Sequence, residues 1–561
     1  MKEQIRTAIK ESLKTLGIEG VGFVVDFPTD KTAGADYFSN VAFVAAGKVG
    51  QAPCIIAEQL CTALSGSISQ VTKIEVAGPG FLNFTLSRDV FSENIATVLN
   101  SGDDWGKNES WKGKKVVVEY TDPNPFKEFH IGHLFTNAVG ESIARLFVMN
   151  GADTKRVNYQ GDVGLHVAHA LWGMQQLGFT AETSFSAKDL GKAYALGATT
   201  YKTDEIVATE IRSINKKVYS REDEVINALY DTGRRTSLEY FETTYKLVGT
   251  KFDEYFFESE AGPKGKELVL SNPGIFPTSD GARIFDGEAR GLHTRVFLNK
   301  EGLPTYEAKE LALAKLKEER LGGYDHSVIS TANEISEYFK VLISAMSEVY
   351  PELAKKTEHI GHGMVRLTTG KMSSRTGEVI AAKDFIEEVA EAALQKMKDS
   401  TGEENGELAN DIAIAAIKYA TLRGNILQDS TFDKDKALSF EGDSGPYLQY
   451  THARICSVLE KAAEAGVLRS TQLPPPIAFE VEKLITRFPS VIEMALAERA
   501  PHKVTTYLTE VAAAFNSFYA EEKIADLSDQ YAPYKAAVAD AVQITLRNGL
   551  WVLGIKAPKR M

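Results

Sequence analysis

Two short motifs in this sequence carry side chains that could bind the phosphates of a nucleotide. The first is His130-Ile131-Gly132-His133, which follows an apolar run at 116–120 and precedes a stretch at 134–149 with the pattern of a helix. Free N–H groups at the start of a helix favour anions, and each imidazole can donate a hydrogen bond to an oxygen that gains charge during a reaction. Gly132 leaves room for a ribose or a flat ring on the backbone.

The second motif is Lys371-Met372-Ser373-Ser374-Arg375, a loop rich in cationic and hydroxyl donors. It lies far along the chain from the histidines, so only the fold can bring the two motifs together. In an open α/β sheet, ligands bind beyond the carboxyl ends of the strands near the crossover point. Two phosphate-binding loops that face each other there would hold ATP for attack of a carboxylate on its α-phosphorus, with Mg²⁺ shielding the departing pyrophosphate. These residues therefore predict adenylation of an amino acid.

The elements that must position these motifs fall into three predicted domains of a multidomain α/β protein. Residues 1–105 have the pattern of a small α+β domain that opens with a helix. Residues 106–400 alternate strands and helices, which is typical of a Rossmann-type, doubly wound parallel sheet. A charged helical insertion interrupts that sheet at about 175–265. Residues 401–561 have helical patterns almost throughout, which predicts an all-α domain.

Composition narrows the class of protein. A chain of 561 residues is too long for one core, and its net charge of −13 argues against promiscuous binding of nucleic acid. The three cysteines, Cys54, Cys61 and Cys456, form no C-x-x-C pair, which argues against a disulfide framework and against structural zinc. No apolar run approaches the roughly 20 residues that cross a bilayer. We expect a cytoplasmic protein with no membrane partner, no zinc and no resident metal.

Several further motifs, in a single order along the chain, resemble those of one family. They are the extended first signature at 121–133, Asn158-Tyr159-Gln160-Gly161-Asp162-Val163-Gly164, the run at 444–454, the ending at 549–555, and Ala77-Gly78-Pro79-Gly80-Phe81 with Asp36-Tyr37 in the first domain. On these motifs the sequence is identified as a member of the class I arginyl-tRNA synthetases. The resemblance implies an N-terminal tRNA-binding module, a helical anticodon-binding bundle at the C-terminus, and a monomer. It also implies tRNA(Arg), L-arginine and ATP as partners, with bound tRNA required even for the first step.

The resemblance implies a set of catalytic and ATP-binding residues. His130, His133 and Lys371 would contact the phosphates, with further ATP contacts from Gly132, Ser373, Ser374 and Arg375. Ser374 stands where most class I enzymes carry a second lysine, and Lys127 stands where this family supplies a substitute cation. An ammonium needs only reach to take over that role, so this exchange is chemically reasonable.

The resemblance also implies an arginine pocket, formed by Glu119, Asn124, Tyr306, Glu310 and Asp162. A guanidinium needs planar, anionic, bidentate partners, which carboxylates supply. Tyr306 and Glu310 are four positions apart, so a helical turn would put them on one face. Glu310 replaces the family's usual aspartate and Val163 replaces its usual tryptophan, which leaves the pocket geometry open.

Each of these residues also has a plain structural explanation. Glu119 could close a buried ion pair, Asp162 could cap a turn, and Lys127 could be a solvated loop residue. Three other functions stay open: another nucleotidyl transferase with the same histidine motif, a class I enzyme for a different amino acid, and an RNA-binding protein without activity. ATP–pyrophosphate exchange with each amino acid, with and without arginine tRNA, distinguishes these alternative functions.

Overall fold

A computed structural model of the chain describes residues 1–28, 34–368, 380–401 and 404–561, so Lys371, Ser373, Ser374 and Arg375 lie outside the described residues. The chain divides into two compact units. One unit contains Met1–Asp103, Ser457–Arg487 and Ala513–Thr545, and the other contains Asp104–Cys456, Phe488–Ala512 and Leu546–Met561. This division differs in kind from the three predicted domains, whose boundaries stay predictions.

The first unit opens with an antiparallel sheet covered by helices. Its strands lie in the order β1-β2-β4-β3, with bounds β1 Val25–Asp26, β2 Tyr37–Ser39, β3 Val71–Ala77 and β4 Phe81–Leu86. The helices of this segment are α1 Lys2–Thr15, α2 Val41–Val49, α3 Pro53–Leu64 and α4 Arg88–Ser101. The apolar face of α1, formed by Ile5, Ile9 and Leu13, is buried in the core of this α+β fold.

The second unit is built on a five-stranded parallel sheet in the order β12-β11-β5-β6-β7. Its strands are β5 Lys115–Glu119, β6 Asp153–Gln160, β7 Glu254–Phe257, β11 His326–Ala332 and β12 Thr357–His362. The chain moves outward from β5 through β6 to β7, and then returns to β11 on the other side of β5. The strand order therefore reverses between β5 and β11, where an open α/β sheet binds its ligands. The predicted doubly wound sheet is confirmed.

Nine helices and a small antiparallel sheet accompany these strands within residues 131–356. The helices are α5 Ile131–Met149, α6 Leu165–Gln176, α7 Ala187–Thr203, α8 Glu205–Ser220, α9 Glu224–Val248, α10 Glu258–Ser271, α11 Tyr306–Arg320, α12 Ser336–Val349 and α13 Pro351–Lys356. The small sheet has the order β10-β9-β8, with β8 Thr278–Ser279, β9 Ala282–Phe285 and β10 Arg295–Leu298. The predicted helical insertion contains α7 to α9, and β7 then returns the chain to the main sheet.

The remainder of the described chain is almost entirely helical, as predicted. Strand β13, Val365–Leu367, pairs in parallel with β14, Ser430–Phe432. The helices are α14 Ala382–Thr401, α15 Gly406–Leu422, α16 Lys434–Ala437, α17 Gly445–Glu464, α18 Glu480–Ile485, α19 Phe488–Ala497, α20 His502–Glu521 and α21 Ala532–Val552.

The described segments contain no single helix that is long and apolar enough to cross a membrane. The pair α2 and α3 passes a test of length and composition together, but the two helices meet at 118°. Their apolar residues, among them Val41, Ala45, Ile56 and Leu60, are buried in the core of the first unit, which accounts for this composition.

Candidate functional site

The loop between β5 and α5 holds three residues in a backbone conformation that side chains disfavour. Thr121, Asp122 and Phe126 have φ values of 81°, 45° and 68°. Such conformations cost about 1–3 kcal/mol each and persist where the surroundings impose them. Here Asp122 Oδ1 accepts from the backbone N–H of Tyr159 at 2.8 Å, and Ser237 Oγ accepts from the N–H of Phe126 at 2.9 Å. The fold therefore fixes the loop that carries the first motif.

His130 and His133, named here the histidine pair, cap the start of α5 reciprocally. The Nδ1 atom of His130 accepts from the backbone N–H of His133 at 3.4 Å, and Nδ1 of His133 accepts from the N–H of His130 at 3.3 Å. The two rings stack with their centroids 3.6 Å apart. Because both Nδ1 atoms accept, each neutral ring carries its proton on Nε2.

Burial, reinforced by the charge of Lys127, lowers the pKa of His130 to about 4. Burial also lowers the pKa of His133 well below its ordinary value, and His130 and Lys127 lower it further. Both imidazoles are therefore neutral near pH 7. The histidine pair supplies two neutral Nε2–H donors at a helix N-terminus, which suits a phosphate oxygen.

Gly132 lies directly against the ring of His130, since a Cβ atom at Gly132 would fall 2.9 Å from its Cε1. The predicted contact of Gly132 with the nucleotide stays a prediction. One turn further along α5, Thr136 Oγ1 donates to the Gly132 carbonyl at 3.0 Å and lies 2.9 Å from Nε2 of His362. Sequence reasoning missed His362, which lies at the end of β12 and contacts the first turns of α5 through Thr136.

Lys127 lies beside the histidine pair, because its charge contributes to the lowered pKa of both rings. Its Nζ sits over the ring of Tyr194 on α7, 4.5 Å from the centroid. This contact holds the ammonium at the edge of the helical insertion. The structure thus gives Lys127 the proximity that a phosphate contact needs, and the contact itself stays a prediction.

Glu119, Asp122, Tyr159, Glu310 and Tyr338, named here the acidic pocket, gather acceptor groups from β5, β6, α11 and α12. The Glu119 carboxylate is paired with Lys317 of α11, Oε2 to Nζ at 2.9 Å. Burial raises the pKa of Glu310 well above its ordinary value, and the charge of Glu119 raises it further. The same two causes raise the pKa of Asp122.

Several groups of the acidic pocket lack a protein partner. Among the described residues, Glu310 makes no hydrogen bond and no ion pair, and the buried hydroxyls of Tyr159 and Tyr338 have no hydrogen-bond partner. Their nearness to Glu310 shows in their pKa values, which burial raises and the charge of Glu310 raises further. Buried polar groups are rarely left unpaired in native proteins. This arrangement therefore suits a ligand with positive charge and many N–H donors, which describes a guanidinium.

Two other predicted arginine-binding residues lie near the ion pair of Glu258 and Lys309. Tyr306 begins α11 and is 55% exposed, with Lys309 Nζ 5.2 Å from its ring centroid. Asn124 lies against Gly161, because a Cβ atom built on Gly161 would fall 2.3 Å from Oδ1 of Asn124. Glu258 Oε1 lies on the same side of Gly161, at 3.3 Å from that position, and Oε2 of Glu258 pairs with Lys309 at 2.6 Å.

Asp162 is fully buried and already has several protein donors. Its carboxylate accepts from Arg234 Nε at 2.8 Å, from Ser259 N and Oγ at 2.8 and 2.7 Å, and from Tyr230 OH at 3.2 Å. These contacts join the end of β6 to α9 and α10. The Asp162 carboxylate is thus well supplied with protein donors, and its predicted contact with arginine stays a prediction.

Sequence reasoning did not anticipate the cations and phenols of this site, which are Lys317, Lys309, Tyr159 and Tyr338, or the carboxylates of Asp122 and Glu258. A signal existed for Lys317, which lies seven residues after Glu310 and so shares its face of α11. Asp122 also follows directly from the carboxyl end of β5. Within the described ranges no three His, Cys, Asp or Glu side chains are grouped to hold a metal ion.

Family models cover most of the chain. One described as tRNA synthetases class I (R), catalytic domain, matches residues 94–434. A second, described as DALR anticodon binding domain, matches residues 448–561, and a third, described as Arginyl tRNA synthetase N terminal domain, matches residues 3–86.

Similar proteins span the same length. A protein of Clostridium beijerinckii named Arginine–tRNA ligase is 31% identical over 578 residues and 100% of both chains, and one of Clostridium acetobutylicum with the same name is 30% identical over 97% of both. Among solved structures, Thermus thermophilus arginyl-tRNA synthetase aligns with a TM-score of 0.79 at 24% identity over 100% of both chains. The Plasmodium falciparum arginyl-tRNA synthetase aligns with a TM-score of 0.81 at 20% identity, over 100% of this chain and 99% of that one. At these identities the two structures show the fold alone.

Proposed function

This chain belongs to the class I arginyl-tRNA synthetases, and from that premise we propose that its acidic pocket binds the arginine side chain while its histidine pair binds the phosphates of ATP. The family's activity is ATP-dependent ligation of arginine to tRNA. The observation that carries the proposal is Glu310, a carboxyl with raised pKa and no hydrogen bond or ion pair among the described residues.

The first step forms a bond between an arginine carboxylate oxygen and the α-phosphorus of ATP, and breaks the bond to the β-phosphate, so that pyrophosphate leaves. The side chain would be fixed by Glu119 and Glu310, which places the carboxylate for attack. The Nε2–H donors of His130 and His133 would stabilise charge that builds on the phosphate oxygens, a contribution of about 3–4 kcal/mol per donor in comparable sites. Mg²⁺ would enter with ATP as part of that substrate.

In the second step, the 3′-terminal hydroxyl of tRNA(Arg) attacks the carbonyl carbon of arginyl-adenylate, and AMP leaves. We propose that Asn124 holds the α-amino or carboxylate group of arginine, and that Tyr306 covers the side-chain pocket. Lys127 would supply the cation that Ser374 cannot. We also propose that the second motif contacts ATP through Lys371, Ser373, Ser374 and Arg375.

A cluster of aromatic rings in the N-terminal module supports a role in tRNA binding. The ring centroid of Phe81 lies 5.9 Å from that of Phe38 and 4.8 Å from that of Phe43, and Phe81 is 36% exposed. Exposed aromatic rings stack on the unpaired bases of RNA loops. We therefore propose residues 1–105 as a tRNA-binding module, 106–400 as the catalytic domain and 401–561 as the anticodon-binding domain, in a monomeric cytoplasmic enzyme.

The second candidate function is a class I enzyme for another amino acid, because Glu310 and Val163 depart from the family pattern. Val163 is buried among Phe126, Val167 and Tyr230, in the core of the helical insertion. Val163 thus packs in an apolar core, and this observation gives the second candidate no support.

ATP–pyrophosphate exchange tests the proposal. We expect exchange with arginine, stimulated by arginine tRNA, and none with the other amino acids. Exchange stimulated only by another amino acid would reject the arginine assignment, and no exchange under any condition would favour an RNA-binding protein without activity.

A further inference from the structure

Helix α11 contributes a carboxylate and a cation to the same region. Glu310 and Lys317 are seven residues apart, so they lie on one face of α11 two turns from each other. Ala314 lies between them on that face, and its side chain is a single methyl group. The cation of Lys317 therefore faces the acidic pocket from the same helix that supplies its unpaired carboxyl.

Lys317 is committed to one partner. Its Nζ donates to Oε2 of Glu119 at 2.9 Å, and both side chains are 2% exposed. In the part of the chain that the structure describes, no other group hydrogen bonds the Glu119 carboxylate. Lys317 thus fixes one oxygen of Glu119 and leaves Oε1 as the acceptor that remains.

The charges around the pocket do not balance without this lysine. Carboxyl groups of Glu119, Asp122 and Glu310 share it, and like charges in a buried site cannot all stay ionised. The other buried lysine nearby, Lys309, is engaged with Glu258 at 2.6 Å. Among the described residues, Lys317 is therefore the one cation that is paired with a carboxylate of the acidic pocket.

We infer that Lys317 is a positioning and specificity-determining residue for arginine, which holds one oxygen of Glu119 so that the other oxygen receives the guanidinium. It acts through Glu119 and does not itself touch the substrate. This inference rests on the proposed function of the acidic pocket. It assigns the two carboxylates different tasks: Glu119 is oriented in advance by Lys317, whereas Glu310 gains its cationic partner from the substrate.

The test is Lys317→Met, which keeps an unbranched side chain of nearly the same length and removes its charge. We expect the KM for arginine in pyrophosphate exchange to rise about 10- to 100-fold, the loss expected when a charge-assisted hydrogen bond is misplaced, while the KM for ATP stays within about threefold. An unchanged KM for arginine, or equal changes in both KM values, would overturn the inference.

Arg320→Met is the matched control. Arg320 lies three residues further along α11 and also forms ion pairs with carboxylates, Glu254 at 3.1 Å and Glu260 at 2.8 Å. Its loss removes two more exposed ion pairs of the same helix that lie outside the pocket, and we expect it to leave the KM for arginine unchanged. An equal rise in KM for Arg320→Met would attribute the effect of Lys317→Met to α11 as a whole and overturn the inference.

Two further variants keep the test decisive. Removing one partner of a buried ion pair is strongly destabilising, so if Lys317→Met does not fold, Lys317→Arg is measured instead. The arginine introduced at position 317 keeps the charge but displaces the Glu119 carboxylate. A rise in the KM for arginine without a similar rise in the KM for ATP would again support the inference. Glu119→Gln separates the hypotheses: if it raises the KM for arginine and the Lys317 variant does not, the inference fails alone, and if neither does, the proposed pocket fails as well.

Discussion

The histidine pair and the acidic pocket both begin at the carboxyl end of β5, yet they differ in how far the protein itself supplies partners for their polar groups. Each histidine accepts a hydrogen bond from the other's backbone, so the pair is complete within one turn of α5. The acidic pocket is drawn from β5, β6, α11, α12 and the loop after β5, and within the described residues it leaves Glu310 and two tyrosine hydroxyls without protein partners. The protein therefore preorganises one half of the site, and we propose that the substrate completes the other half.

The largest effect is expected from Glu310→Gln, because it removes the charge that the substrate must pair with. We expect kcat/KM for arginine to fall by about 10³-fold, and the KM for ATP to change little, since truncating one member of a buried charge pair costs 2–5 kcal/mol or more. Steady-state pyrophosphate exchange with varied arginine measures this.

Glu318→Gln is the control for Glu310→Gln, because Glu318 lies on the same helix and faces Lys356 at 3.9 Å instead of the pocket. Equal losses in the two variants would mean that the effect comes from the helix and not from the pocket.

The second prediction distinguishes two roles of His130, capping of helix α5 and donation of a hydrogen bond to the nucleotide. An asparagine at the N-cap accepts the backbone N–H of His133 as imidazole does, but does not place a donor where Nε2 lies. We therefore expect His130→Asn to lower kcat by about 10²-fold at nearly unchanged thermal stability and KM for arginine. His130→Ala should lose kcat equally and also about 1 kcal/mol of stability. Full activity in His130→Asn would show that the pair serves only to cap the helix.

The third prediction contrasts the two halves through pH. The pKa of Glu310 is raised, so at low pH this carboxyl is protonated and lacks the charge that attracts a guanidinium. The Kd for arginine should therefore fall as pH rises through the raised pKa, by at most about tenfold per pH unit, and binding should release a proton. Calorimetry in buffers of different ionisation enthalpy measures that proton.

The histidine pair should show no such dependence above about pH 5, because its pKa values are lowered by burial, that of His130 to about 4. A Kd for arginine that does not change with pH in the wild type would contradict the assignment to Glu310. A pH dependence that persists in Glu310→Gln would contradict it as well.

The smallest effect concerns the cation beside the histidine pair. Tyr194→Leu removes the ring under Lys127. Since a cation–π contact of this kind is worth about 0.5–1 kcal/mol, we expect the KM for ATP to rise about two- to fivefold. Lys127→Met should have the larger effect of the two on the same parameter. An effect of Tyr194→Leu on the KM for arginine alone would place Lys127 with the other half of the site.

Sequence analysis predicted the preorganised half better than the half that the substrate completes. The histidines lie in one motif that follows a strand, so local spacing revealed them, and the doubly wound sheet and the family are confirmed. The acidic pocket depends on contacts between distant segments. The pairing of Glu119 with Lys317, separated by 198 positions, became visible only once α11 was packed against β5. Asp162 lies in a characteristic motif and is held by Arg234 and Ser259, and its predicted contact with arginine stays a prediction.

The most direct test is a crystal structure with a non-hydrolysable arginyl-adenylate analogue, in which a sulfamoyl group replaces the phosphate. We expect the guanidinium within about 3 Å of the carboxylates of Glu119 and Glu310, and the sulfamoyl oxygens within hydrogen-bond reach of Nε2 of His130 or His133. An analogue whose guanidinium lies away from Glu310, or whose sulfamoyl group lies away from the histidine pair, would contradict it.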